Sequence, residues 1–158
     1  MLSGCGGSSF APDFAPQRAF ALPMTAQING NDYAAVLTCD PGGSLLLDFT
    51  GPPELSCFSA RTADGGYVMD AGGLEDRMEA SELYGDAPLR LLLDTVKTAV
   101  FTNHGAFVRD RENGVYTADL TVNSADVRVI FDAEGYLLSL TAPGLTAGFT
   151  RSAGETEE

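Results

Sequence analysis

Three cysteines and a single histidine hold most of the nucleophilic and metal-ligating capacity of this chain. Cys39 and Cys57 form an even pair once Cys5 is set aside. They have two states open to them: a disulfide, or two buried free thiols packing as small hydrophobes. Zinc-type spacing is missing, because there is no Cys-x-x-Cys and His104 stands alone. His104 falls just past a helical stretch, where a cation favours the helix C-terminus, so its expected role is capping rather than proton transfer. No nucleophile elbow, Ser-x-x-Lys pair or phosphate-cradling glycine loop occurs. The Gly-Gly pairs at 42–43, 65–66 and 72–73 lie between strand-like runs and read as turns. Asp70, Glu75 and Asp76 supply oxygens of the kind calcium needs, but not at EF-hand spacing, so they read as a solvated acidic loop. The expectation is a protein that is not an enzyme, with no cofactor and no metal.

Cys5 is different. Leu2-Ser3-Gly4-Cys5 resembles the lipobox of bacterial lipoproteins. In that family a peptidase cuts before the cysteine, whose thiol carries a diacylglycerol. Gly4 is the small residue that cleavage requires, and Gly6-Gly7-Ser8-Ser9 resembles the flexible spacer behind such an anchor. A secretory leader needs a basic segment and an apolar run of about 7–15 residues. Only Met1 and Leu2 precede Ser3, so the rest of the leader is expected upstream of this sequence. The resemblance implies an extracytoplasmic protein, lipid-anchored to the cell membrane, in a compartment that permits a Cys39–Cys57 bridge.

The formal charge of −13 argues against nucleic acid and against a polybasic grip on anionic lipid. A covalent anchor is the remaining route to a membrane surface, and two acyl chains hold stably where one does not. At 158 residues, 44% of them hydrophobic, the chain can bury one core. The expected organisation is a lipobox remnant and flexible linker over 1–19, one domain over 20–151, and an acidic disordered tail over 152–158.

Hydrophobic periodicity then places the elements. Met24–Ile28 and Tyr33–Cys39 flank Asn29-Gly30, a strong hairpin signal. Asp40-Pro41-Gly42-Gly43 turns into Ser44–Thr50, and extended runs follow at Leu55–Arg61, Tyr67–Asp70 and Leu74–Met78. One helix is predicted over Ala87–Phe101, with Asp86 as N-cap and Pro88 in its first turn. Leu89, Leu92, Leu93, Val96 and Val100 share one face of it. Strands resume at Ala106–Arg109, Val115–Val122, Asp126–Phe131, Tyr136–Thr141 and Leu145–Arg151, with Leu138 and Leu140 set opposite Leu137 and Ser139. The fold class is α+β, mainly antiparallel β, with about eight to ten strands and one main helix.

Strands, an inserted helix and more strands behind a lipid anchor resemble the lipoprotein-carrier superfamily. Leu46-Leu47-Asp48-Phe49-Thr50-Gly51-Pro52-Pro53-Glu54-Leu55-Ser56-Cys57-Phe58 carries the closest likeness, to small Gram-positive lipoproteins of this shape. The resemblance implies a curved, incomplete barrel with the helix on its concave face. A groove between sheet and helix could hold a lipid or another apolar ligand, lined by Leu45, Leu47, Phe49, Leu89, Leu92, Leu93 and Val96. The alternative is an envelope structural or protein-interaction lipoprotein with a filled core and no ligand.

Overall fold

The computed structural model describes residues 8–11, 14–63, 66–71, 74–79, 88–102 and 107–151. Cys5, Asp86, His104 and the acidic tail lie outside them. Among the described residues twelve strands form one antiparallel sheet. They are β1 (Ser8–Phe10), β2 (Phe20–Ile28), β3 (Asn31–Cys39), β4 (Leu45–Gly51), β5 (Phe58–Ala63), β6 (Gly66–Ala71), β7 (Leu74–Glu79), β8 (Val108–Asp110), β9 (Val115–Val122), β10 (Ala125–Phe131), β11 (Leu137–Ala142) and β12 (Leu145–Phe149). The order across the sheet is β1-β8-β9-β10-β11-β12-β2-β3-β4-β5-β6-β7. The sheet does not close: β1 and β7 are its two edges. Helix α1 (Pro88–Phe101) is inserted between β7 and β8 in the chain.

Alternation explains how the sheet wraps. Leu22, Met24 and Ala26 of β2 are buried, and so are Leu45, Leu47 and Phe49 of β4 and Val127, Val129 and Phe131 of β10. The residues between them face outward, as a period of two demands. Register keeps the inward residues in rows: Leu22 opposes Leu37, which opposes Leu47, which opposes Ala60. Leu91, Leu92, Leu93, Val96, Ala99 and Val100 of α1 join the same core. The architecture is thus the expected open, curved, mainly antiparallel sheet with one helix against its inner face.

Turn chemistry sets that register. Asn29 and Gly30 have φ of 51° and 86°, and Asn123 and Ser124 have φ of 52° and 67°. Both pairs fit the left-handed two-residue turn that matches strand twist. Asp40 accepts hydrogen bonds from the amides of Gly42 and Ser44 at 2.9 and 3.0 Å, and Asp132 repeats this with Glu134 and Tyr136.

Three expectations are corrected. The linker was expected to run through residue 19, yet Ser8–Phe10 pairs with β8 and the Ala11 amide donates to Phe107 O at 2.9 Å. Phe14 stacks on Tyr116 at 4.0 Å and meets Phe107 edge-on at 4.9 Å, so aromatic burial outweighs the Ala-Pro breakers. In β11 the alternation breaks: Ile130 opposes Ser139 but Phe131 opposes Leu137, leaving Leu138 as a bulge. Leu137 and Leu140, which strict alternation sets on opposite faces, are therefore both buried. Finally, Pro53–Leu55 makes a turn of 3-10 helix, so the next strand starts at Phe58 rather than Leu55.

Candidate functional site

The seven residues expected to line a groove are core. Leu45, Leu47, Leu92, Leu93 and Val96 are at most 1% exposed, Phe49 is 5% exposed, and Leu89 packs against the same cluster. The helix seats directly on the sheet, and none of the seven lines the clefts described below.

The expected cysteine bridge is also corrected: Cys39 and Cys57 are both free, the first buried and the second exposed. Cys39 pairs with Leu45 at one end of β4, while Cys57 precedes Phe58 at the other end. About five strand residues separate them, or roughly 16 Å, far beyond the roughly 7 Å a disulfide can span. Burial, with a smaller push from Asp40, raises the Cys39 thiol to about 11.

Clefts open instead on the outer face. Gly148 opposes Thr25, Thr25 opposes Ala34, and Ala34 opposes Gly51. This row of short side chains sinks a trough across β12, β2, β3 and β4. One cleft of about 560 Å³ includes Thr25, Gln27, Asp32, Ala34, Pro52 and Gly148. A second, of about 360 Å³, shares Thr25, Ala34 and Gly148 and continues to Pro23, Val36 and Leu138. The bulged Leu138 thus forms part of its apolar wall. Among the described residues Asp32 is the one charged residue lining either cleft, and the Gln27 amide donates to it at 3.0 Å.

Beyond the trough the outer face turns polar. Asp119, Arg128, Thr141, Thr146, Gln27 and Asp32 oppose one another in turn across β9 to β3. Arg128 holds Asp119 by two hydrogen bonds, at 2.8 and 3.0 Å, which lowers the Asp119 pKa. Both side chains are more than half exposed, so the pair adds little stability.

A polar junction lies where α1 meets both ends of the sheet. Asp94 accepts hydrogen bonds from Tyr67 Oη of β6, from Arg90 at 3.2 Å and from Asn123 Nδ2 at 2.8 Å. Burial first, then the Asp94 bond, raises the Tyr67 pKa. β6 and β9 stand near opposite edges of the sheet order, so this carboxylate ties the two flanks together through the helix. Asp94 lies off the buried stripe of α1. Its partners come from 27 and 29 residues away, and no local pattern announces them. The neighbouring Thr95 is fully buried and its hydroxyl has no hydrogen-bond partner among the described residues.

Among the described residues, no group of three or more His, Cys, Asp or Glu is placed to hold a metal ion. None of their helices is long and apolar enough to cross a membrane. No protein family, curated protein or solved structure matches the chain.

Proposed function

We propose that this chain is the folded part of an extracytoplasmic lipoprotein, held to a membrane by lipid on Cys5, which works by binding a protein partner in the envelope rather than by catalysis. The observation that carries the binding mode is the contrast between the two sheet faces. The inner face is filled by α1 down to side chains of zero exposure, while the outer face is cut by a trough. This favours a filled-core interaction module over a carrier of lipid between sheet and helix. The anchor rests on Leu2-Ser3-Gly4-Cys5.

The trough suits an extended partner segment bearing a positive charge. Its floor of Gly148, Ala34 and Gly51 allows close backbone approach, Pro23, Val36 and Leu138 offer apolar contact, and Asp32 supplies the charge. The acidic surface of the whole chain would speed such an encounter.

Gly148→Val tests this. A Cβ at position 148 would meet only Thr25 Oγ1, at 4.0 Å, so the side chain fits while filling the trough. Replacing a mid-strand glycine should leave stability unchanged or raise it by about 0.5–1 kcal/mol. A photo-crosslinker at Gln27 should give a discrete adduct in cells that Gly148→Val abolishes. An adduct indifferent to Gly148→Val argues against the trough. Co-purifying acyl lipid in native mass spectra would overturn the filled-core reading. Palmitate that labels the protein and not its Cys5→Ser variant is the result expected for the anchor.

A further inference from the structure

Strand register gives the outer trough two banks of different chemistry. Its floor is the row Gly148, Thr25, Ala34 and Gly51, one residue from each of β12, β2, β3 and β4. The banks stand two residues along the strands on the same face, about 7 Å to either side. One bank is Thr146, Gln27 and Asp32, which oppose one another in turn. All three are polar and exposed. The other bank holds Pro23 and Val36, which oppose each other, with Leu138 lining the same cleft. These three are apolar and half-buried. Their row ends in Thr150 toward β12, and in Asp48, which opposes Val36, toward β4.

Charge is uneven along the trough. Asp32 and Asp48, both exposed, stand at its β3–β4 end, one on each bank. Among the described residues Asp32 accepts only the Gln27 amide, on Oδ1, so Oδ2 stays open to a partner. No lysine or arginine among the described residues lines either cleft. The arginines around the trough lie outside it. Arg128, two strands beyond Thr146, holds Asp119, and Arg151, next to Thr150, holds Glu134 at 2.6 Å. Arg61 lies one row further out, opposite Leu46 of β4.

From these two banks we propose that the trough reads an alternating polypeptide segment. It is an extended stretch of about five partner residues, apolar at every second position and polar between, with a lysine or arginine at the end that lies over β3 and β4. This specificity rests on the trough being the partner site, and it adds the partner's sequence pattern. An extended chain points successive side chains to opposite sides. Laid along the floor, it gives one set to Pro23, Val36 and Leu138 and the other to Thr146, Gln27 and Asp32. The floor sets the length: four strands spaced about 4.8 Å apart span about 14 Å, which about five residues cover at about 3.3 Å each. Gly148 and Gly51, without side chains, let a backbone come down between the banks. A glycan or an all-polar segment would leave the apolar bank uncovered. A uniformly apolar segment would strip water from Asp32 without replacing it.

The test pans a random heptapeptide library against the immobilised 158-residue chain, with Gly148→Val as counter-selection. Thr25→Tyr, at an exposed floor position, fills the trough while leaving the glycine in place. Circular dichroism checks both variants for folding. Enriched peptides should alternate apolar and polar residues and carry a lysine or arginine in the polar set at one end. Either filled variant should abolish their binding. Asp32→Asn should weaken them about two- to fivefold, a gap that salt narrows. Peptides that need the open trough but lack alternation, or that bind Asp32→Asn equally well, overturn this specificity and leave the trough as a partner site. Peptides indifferent to both filled variants, or no enrichment at all, overturn the trough itself. Binding on a glycan array that Gly148→Val abolishes would overturn the peptide as occupant.

Discussion

Cys39 and Cys57 show how surroundings set the chemistry of one side-chain type. Cys39 is 2% exposed and its thiol is raised to about 11, whereas Cys57 is exposed. A raised thiol pKa means that the folded state keeps its proton where the unfolded chain, near 9, loses it. The contribution is fully present below about 9 and is lost as pH rises through about 11. Urea denaturation between pH 8 and 11 should therefore show a falling stability that is shallower in Cys39→Val, by on the order of 2 kcal/mol across that window. Tyr67, raised as well, keeps some alkaline slope in both proteins. At neutral pH a thiol reagent should modify Cys57 quickly and Cys39 only as the protein unfolds. Parallel stability profiles for the two proteins would remove Cys39 as the source.

At the scale of elements, α1 does two things. Its apolar side fills the core, and its one carboxylate at Asp94 joins β6 to the β9–β10 turn. Tyr67 is only 5% exposed, so its hydroxyl depends on Asp94. Asp94→Ala leaves that hydroxyl without its acceptor and should cost about 1–3 kcal/mol. Asp94→Asn keeps an oxygen for Tyr67 and should cost less. Hydrogen exchange should show the loss in α1, β6 and the Asn123 turn together. Faster exchange confined to the helix would mean that the flanks are held independently of Asp94.

Across the whole molecule, the folded unit begins at β1 rather than at residue 20. Phe14 joins an aromatic group with Phe107, Tyr116 and Phe131, its ring centroid 4.9, 4.0 and 5.9 Å from theirs. Phe14→Ala should destabilise the protein by about 2–4 kcal/mol and expose the β8 amides that face β1 to exchange. A change under about 0.5 kcal/mol would return this segment to the status of a linker.

Much of the fold was legible because its signals are local. Asn29-Gly30 sets a hairpin through the φ values its residues tolerate, and the alternation in Val115–Val122 and Asp126–Phe131 assigns their faces. The apolar spacing in α1 marks its buried side, though Leu91 and Ala99 widened the stripe. The docking of Phe14 is not legible locally, because Gly, Ser and Pro describe what a segment lacks, while the contact depends on Tyr116 and Phe107, distant in the chain. The Leu138 bulge was hidden for a similar reason: one extra residue is visible only against the partner strand. What the sequence determined by itself was therefore the elements, their inward faces and the thiol at Cys5, each set by neighbours within a few residues. Only the tertiary structure decided that the residues expected to line a groove belong to the core, that Cys39 and Cys57 stand apart, and that Phe14 docks on Tyr116 and Phe107. Those outcomes depend on contacts between residues that the sequence separates by tens of positions.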